Sequence, residues 1–206
     1  MVEAVVLLFL WTLSLAFASS FEVGDIIMQR DPFKGGGGVI QVMTFSPYNH
    51  VGVVVKNKGR LVVIEAIGRV TYTPIEQYIK RGEGYKVLRM RDELSTAQKS
   101  KLSRQARKYI GKRYDAALSW SDNTMYCSEL VYKVYEDIGI HLQIKRPLWL
   151  HTFSPMLPVA KGVAYYEWVK LPRLYREGIL KMKASEPVVT PGDINLSWKL
   201  KTIKEL

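Results

Sequence analysis

The sequence contains a single cysteine, Cys127, in 206 residues. One cysteine cannot form an internal disulfide, so the packed core must hold the fold without covalent cross-links. Only three histidines accompany it, His50, His141 and His151, without the ligand spacing of a zinc site. The Gly-x-Ser-x-Gly turn of the α/β-hydrolases is absent as well. The sequence therefore argues against a metal hydrolase and a serine hydrolase of that type, and we expect no metal or other cofactor.

Motifs for phosphate loops and nucleic acids are also lacking. Residues 35–38 are four consecutive glycines, but no Gly-Lys-Ser/Thr follows them. We interpret this stretch as a flexible hinge or lid. Because no recognised nucleic-acid motif occurs either, we do not expect a nucleic-acid partner.

The composition is typical of one globular domain. Hydrophobic residues make up 48% of the chain and charged residues 24%, close to globular averages. The formal net charge is +11, which favours contact with anionic surfaces. Seven basic residues lie within residues 99–113. We interpret them as the solvated face of an amphipathic helix, with a binding stripe as the alternative.

The first eighteen residues form an apolar run that ends in Ala16-Phe17-Ala18. A small-x-small ending is typical of a signal-peptidase site, so we predict a signal peptide over residues 1–18 and one domain over residues 19–206. The n-region has no Lys or Arg and carries Glu3, which leaves an uncleaved membrane anchor as the alternative. Both versions predict export, to the periplasm or the extracellular space.

The patterning predicts both strands and helices. Strands are expected near residues 26–27, 50–55, 61–65, 70–73 and 85–90. Pro74 should open a short helix to about Arg81. Ser95 and Gln98 fit a capping box, so a second helix should run to about Ile110. In the tail, we predict a strand and a turn over residues 188–194, while prolines interrupt any long helix beyond residue 147.

Cys127 is expected at the start of a helix, because the apolar residues after it recur with helical spacing and Gly139 supplies a stop. A lone cysteine is often a buried small hydrophobe. At a helix N-terminus, however, the dipole favours the thiolate and the first N–H groups can stabilise an oxyanion. Cys127 is therefore a candidate nucleophile.

His50 is the best candidate for the base that such a thiol needs. It begins a strand of a predicted hairpin, and a four-residue loop would pair Val55 with Arg60 and place His50 opposite Glu65. A carboxylate there could fix the imidazole tautomer. A loop with an odd number of residues would put Glu65 on the other face of the sheet. Taken separately, His50 and Glu65 are also compatible with structural roles.

Several segments in the same order resemble one family. They are Gly24-Asp25-Ile26-Ile27, Tyr48-Asn49-His50-Val51-Gly52, Ile64-Glu65-Ala66-Ile67-Gly68, Tyr72-Thr73-Pro74, Ser119-Trp120-Ser121-Asp122 and Tyr126-Cys127-Ser128-Glu129-Leu130-Val131. This set is similar to the YiiX-like branch of the permuted papain-like amidases, within the NlpC superfamily, over roughly residues 23–140.

The resemblance implies a circularly permuted papain-like α+β fold, with an antiparallel sheet packed against helices and the nucleophile at a helix N-terminus. It implies Cys127 as nucleophile, His50 as base and Glu65 as third member. Tyr126 could help line the oxyanion or substrate site, and a packing role is equally compatible with its position. Residues 141–206 depart most from the family pattern.

Three functions follow as hypotheses. The first is a thiol hydrolase that cleaves amide bonds of cell-envelope material, with peptidoglycan peptides as the substrate class. The second is a lipid-directed thiol acyltransferase or esterase. For that function, tail aromatics could line an acyl pocket, although core packing explains them more simply; they are Trp149, Phe153, Tyr165, Tyr166 and Trp168. The third is an envelope-binding module without turnover. The expected partner is thus a peptide or acyl-amide substrate, with an anionic surface as a further contact.

Overall fold

The computed structural model describes residues 21–30, 46–143, 145–151 and 173–206, together with residues 158 and 161. The predicted signal peptide and the predicted glycine hinge lie outside the described residues. The same holds for the tail aromatics proposed for an acyl pocket, including the side chain of Trp149. Among the helices of the described segments, none is both long enough and apolar enough to cross a membrane.

The described residues contain ten short strands, of which the first four precede the first described helix. The strands are β1 (Ile26–Arg30), β2 (His50–Asn57), β3 (Arg60–Ile67), β4 (Arg69–Pro74), β5 (Gly84–Met90), β6 (Arg113–Tyr114), β7 (Thr124–Met125), β8 (Arg146–Pro147), β9 (Pro187–Val188) and β10 (Leu200–Glu205). Eight of them form one sheet in the order β10-β5-β1-β2-β3-β4-β6-β7, and β8 pairs with β9. Neighbouring strands of the large sheet are antiparallel except β6 and β7.

The helices cover both faces of this sheet. They are α1 (Ile75–Arg81), α2 (Thr96–Ala106), α3 (Cys127–Glu136), α4 (Leu148–His151), α5 (Arg173–Lys181) and α6 (Pro191–Asn195). Strand β2 supplies apolar side chains to both layers, as the two-residue period of a buried strand requires. Val51, Val53 and Val55 join the core under α2 and α3, whereas Val54 packs with Tyr78 of α1. This α+β arrangement is the predicted fold class.

The hairpin loop between β2 and β3 is shorter than predicted. Val55 pairs with Val62 and Asn57 with Arg60, so Lys58 and Gly59 alone form the turn and the four-residue loop is wrong. Both turn residues have positive φ, 47° at Lys58 and 82° at Gly59, as a tight hairpin turn requires. The register shifts by two residues and keeps its parity, so the facing relation of His50 and Glu65 survives.

Helices α2 and α3 begin where the sequence indicates. Ser95 caps α2 through the predicted capping box with Gln98, and a 3₁₀ turn carries the chain on to Tyr109. Helix α3 starts at Cys127, and nine of its ten residues are buried. This burial makes α3 the central helix, packed on β2 and β3.

The C-terminal part of the fold differs from the sequence expectation. Helix α5 was not predicted, and neither was β10, which forms an edge of the large sheet beside β5. The predicted strand over residues 188–194 is only the two-residue β9, because Thr190 and Asp193 cap the short helix α6. The capping side chains convert the expected turn into a helical turn.

Candidate active site

Cys127 is the first residue of α3 and directly follows β7 and Tyr126. Its side chain is buried, with 2% of the residue exposed. The first N–H groups of a helix have no acceptor within the helix, so this position concentrates donors and positive potential near the sulfur. The predicted location of the thiol is thus confirmed.

His50 and Glu65 form a buried pair on one face of the sheet. Gly52 lies opposite Glu65 in the ladder, which places His50 diagonally across from the carboxylate instead of directly opposite it. His50 Nε2 lies 2.6 Å from Glu65 Oε2. The ring also stacks on Tyr78 of α1, with centroids 5.7 Å apart. The contact therefore forms across the diagonal, and the stacking fixes the imidazole plane.

Glu65 is fully buried and surrounded by donors. In addition to His50, Thr73 Oγ1 donates to Oε1 at 2.5 Å. Arg81 donates through Nη1 to Oε1 at 3.1 Å and through Nη2 to Oε2 at 2.5 Å. Burial raises the pKa of Glu65, but the hydrogen bonds and positive charges outweigh it and lower the pKa to about 2. The carboxylate is therefore ionised throughout the physiological pH range.

The imidazole of His50 contacts this carboxylate, and the thiol of Cys127 is close enough to act on the pKa of the ring. Burial on its own lowers the pKa of His50. Hydrogen bonding to Cys127 and Glu65, together with their negative charges, reverses that effect and raises the pKa to about 9. Because Nε2 is engaged by Glu65, the Cys127 side of the ring is left to Nδ1. The site favours an imidazolium beside the sulfur.

A buried aspartate organises the loop that leads to Cys127. Asp115 accepts from the backbone N–H groups of Ala117, at 2.9 Å, and Ser119, at 3.1 Å. It also accepts from the hydroxyls of Ser119, at 2.5 Å, and Thr124, at 3.1 Å. These bonds connect the start of the loop after β6 with β7, where the loop ends. Their effect is to fix the approach of the chain to the nucleophile.

A second charged cluster supports the first turn of α3. Glu129 is buried, its Oε1 lies 2.9 Å from Lys133 Nζ, and its Oε2 accepts from Tyr126 N at 3.3 Å. Burial raises the pKa of Glu129 to about 7, against the opposing effect of Lys133. Lys133 also donates to the Ser121 carbonyl at 2.7 Å and to Asp122 at 2.9 Å. The Ser119–Asp122 motif is thereby joined to the nucleophile helix.

An apolar crevice adjoins the sulfur. Tyr126 lines it, and its buried hydroxyl accepts from Val189 N at 3.2 Å. The same crevice is lined by Leu118, Leu148 and Val188. The phenol of Tyr126 thus packs between α3 and the β9–α6 segment. Its suggested part in the oxyanion site stays a prediction.

Sequence reasoning assigned no role to Thr73, Arg81 or Asp115. A signal for Arg81 was available, because a buried glutamate needs a cation or several donors. Arg81 is the last residue of α1, which follows β4, and β4 pairs with the strand β3 that carries Glu65. His141, one of the other two histidines, is largely exposed and lies 3.6 Å from Glu136.

Comparisons with known proteins identify the family of the chain. The family described as permuted papain-like amidase enzyme, YaeF/YiiX, C92 family, matches residues 20–190. The chain therefore belongs to this family of permuted papain-like amidases.

Two relatives come from Escherichia coli. The chain is 43% identical over 124 residues to the uncharacterized protein YiiX of strain K12. This alignment covers 59% of this chain and 61% of that protein. The match thus spans about three fifths of the relative's length. A crystal structure described as metalloprotein yiiX from strain O157:H7 has a TM-score of 0.76 and 33% identity, covering 90% of this chain and 97% of that one.

The word metalloprotein describes that relative. In the ranges of this chain that the structure describes, no group of three or more His, Cys, Asp or Glu side chains could hold a metal ion.

Proposed function

We propose that this chain hydrolyses amide bonds in peptides of the cell envelope, with Cys127 as nucleophile, His50 as proton carrier and Glu65 as the group that orients His50. The observation that supports the proposal is the contact of His50 with a buried carboxylate that receives four hydrogen bonds, together with the effect of Cys127 on the pKa of the same ring. Such an arrangement keeps the imidazole in one orientation and stabilises its charged form.

The proposed reaction has two halves. His50 accepts the thiol proton, and the sulfur attacks the substrate carbonyl carbon to give a tetrahedral oxyanion near the N-terminus of α3. The oxyanion collapses, His50 donates its proton to the amine that leaves, and an acyl-thioester remains on Cys127. Water, deprotonated by His50, then attacks the thioester and releases the acid and the free thiol.

The substrate class rests on the family and on the predicted export. For an exported amidase, the peptide cross-links of the envelope are accessible amide bonds. The net charge of +11 also favours contact with anionic envelope surfaces. We further propose that the mature chain begins near Ser19 after cleavage at Ala16-Phe17-Ala18. Intact-mass measurement of the exported protein tests that part, and a soluble cytoplasmic product that retains residues 1–18 would contradict it.

A second candidate function, transfer or hydrolysis of fatty acyl groups, is favoured by one observation. The crevice beside Cys127 is lined almost entirely by apolar atoms, including those of Leu118, Leu148 and Val188. Such a lining suits an acyl chain as well as an apolar peptide side chain. The two candidates differ in what is transferred to the sulfur.

One experiment separates them. The protein is incubated with a panel of muropeptides and acyl lipids, and mass spectrometry follows the products and the mass of Cys127. A peptidyl adduct with release of an amine supports the amidase, whereas a fatty-acyl adduct supports the second candidate. Cys127→Ser should abolish turnover with an unchanged unfolding temperature, because a serine hydroxyl is far harder to deprotonate than a thiol. Full activity of Cys127→Ser on a confirmed substrate would refute the mechanism.

A further inference from the structure

A basic groove lies between the β2–β3 turn and helix α2. We define it by its five cationic side chains, Lys56, Lys58, Lys99, Arg104 and Arg107. Its volume is about 590 Å³, and no acidic side chain is among its lining residues. Lys56 stands six residues beyond His50 in β2, roughly 20 Å away at ~3.3 Å per residue. The groove is thus at the far end of the strand from the candidate active site.

Most of the positive charge in the basic groove is not neutralised by the protein. Lys99 is paired with Glu22 at 2.8 Å and with Glu93 at 3.3 Å. Within the described ranges, no carboxylate forms an ion pair with any of the other four cations. Burial raises the pKa of Tyr72, and the nearby positive charge of Arg107 opposes that effect. Four like charges that face one groove repel one another and attract a counter-ion of the opposite sign.

The walls of the groove are fixed relative to each other. The backbone N–H of Lys56 donates to Ser103 Oγ at 3.0 Å, and that hydroxyl donates to the Lys99 carbonyl at 3.1 Å. Ser103 is buried, so this link between β2 and α2 is shielded from water. The tight turn at Lys58 and Gly59 limits the freedom of the opposite wall. The cations therefore project from a preorganised backbone.

The shape of the groove favours an extended ligand. Its α2 wall runs from Thr96 to Arg107, about 16 Å at 1.5 Å per residue. Ser100 and Arg104 lie on the same wall, one and two helical turns after Thr96, so this wall presents both hydroxyls and cations along its length. A linear chain that lies along this wall can contact successive cations.

We propose that the basic groove binds a linear polymer with regularly spaced phosphate groups and thereby tethers the enzyme to an anionic envelope surface. The site is separate from the catalytic cysteine, so binding adds local concentration of the substrate without taking part in the chemistry. Lysines and arginines supply point charges and planar forks for the phosphate oxygens.

Binding of fluorescently labelled inorganic polyphosphate to the full chain, measured by anisotropy, tests the proposal. The variant Lys56→Gln/Lys58→Asn removes two groove charges, and asparagine suits the left-handed turn position. Each lost cation should raise Kd about fivefold, hence roughly 25-fold for the pair. The control Lys181→Gln/Lys183→Gln removes the same charge from exposed positions outside the groove, so its Kd should stay within about twofold of the wild type.

Three further readouts decide the outcome. Added salt should weaken wild-type binding steeply and the groove variant less so. Hydrolysis of a short soluble substrate should be the same in both variants, so the groove is tested independently of the catalytic residues. Equal losses of affinity in the two variants would overturn the proposal. So would binding to phosphatidylglycerol vesicles through the groove without binding to polyphosphate, because the ligand would then be a membrane.

Discussion

Replacing Glu65 by Gln removes one negative charge from the buried cluster and keeps a side-chain oxygen near the imidazole. In the wild type, Glu65 and Cys127 together raise the pKa of His50 from 6.5 to about 9, against the effect of burial. The charge of Glu65 is thus part of what holds the proton on the ring. An amide can still orient His50, but it stabilises the imidazolium far less.

The size of the effect follows from that hydrogen bond. A hydrogen bond to a charged group contributes about 1.5–3 kcal/mol, and one pKa unit corresponds to about 1.4 kcal/mol. Loss of the charge should therefore lower the pKa of His50 by about 1–2 units. The alkaline limb of the kcat/KM profile reports the proton that His50 gives to the leaving amine. We expect this limb to move from near pH 9 to about pH 7–8.

The assay is the dependence of kcat/KM on pH for amide hydrolysis, between pH 5 and pH 10.5. Glu76→Gln is the matched control, because Glu76 is an exposed carboxylate on α1, the helix that carries Arg81. Its profile should coincide with that of the wild type. His50→Ala should lose more activity than Glu65→Gln, since the proton carrier itself is removed. An alkaline limb that Glu65→Gln leaves in place would refute the assigned role of the carboxylate.

Three other outcomes are expected. Arg81→Met removes two hydrogen bonds from Glu65, so the pKa of Glu65 should rise. The free energy of unfolding at pH 7, measured with urea, should fall by about 1–2 kcal/mol. Arg81→Lys should recover part of this loss, and no recovery would argue against an effect of the charge. The pKa of Glu65 is about 2 in the folded protein and 4.5 in the unfolded chain, so its ionisation stabilises the fold above pH 4.5, and this stabilisation is lost as the pH falls through 2. The free energy of unfolding of the wild type should fall by about 3 kcal/mol over that window. An equal loss in Glu65→Gln would show that another group causes it. Gly178→Val should destabilise by about 1–3 kcal/mol through overpacking, because a Cβ there lies 2.3 Å from Ala116 Cβ; an unchanged melting temperature would contradict this close approach.

Local chemistry explains why much of the site could be predicted from the sequence. The start of α3 at Cys127 follows from helical spacing, and the facing relation of His50 and Glu65 depends only on the parity of the hairpin loop. That relation survived a wrong loop length because the two-residue loop has the same parity as the predicted four-residue loop. The shorter loop requires Lys58 to adopt the left-handed conformation although it is neither Gly nor Asn. Propensity rules give no reason to expect Lys there.

Long-range contacts explain what could not be predicted. Strand β10 is stabilised by pairing with β5, whose residues are more than a hundred positions earlier in the chain. No local sequence signal marks Asp115 either, since its role is to accept hydrogen bonds from a loop whose path is fixed by the parallel pair of β6 and β7. Arg81 becomes meaningful only when α1 is seen to fold back over β3. Such features depend on tertiary packing, which a sequence window does not contain.

The order of the segments has a consequence for biosynthesis. His50, Glu65, Thr73 and Arg81 all belong to one continuous stretch of β2, β3, β4 and α1, so their mutual contacts close short loops. The sulfur is made much later, as the first residue of α3. An emerging chain can therefore assemble its base, carboxylate and guanidinium before any nucleophile exists. We expect thiol reactivity to appear only when α3 docks on the sheet, which makes enzymatic activity a late event in folding.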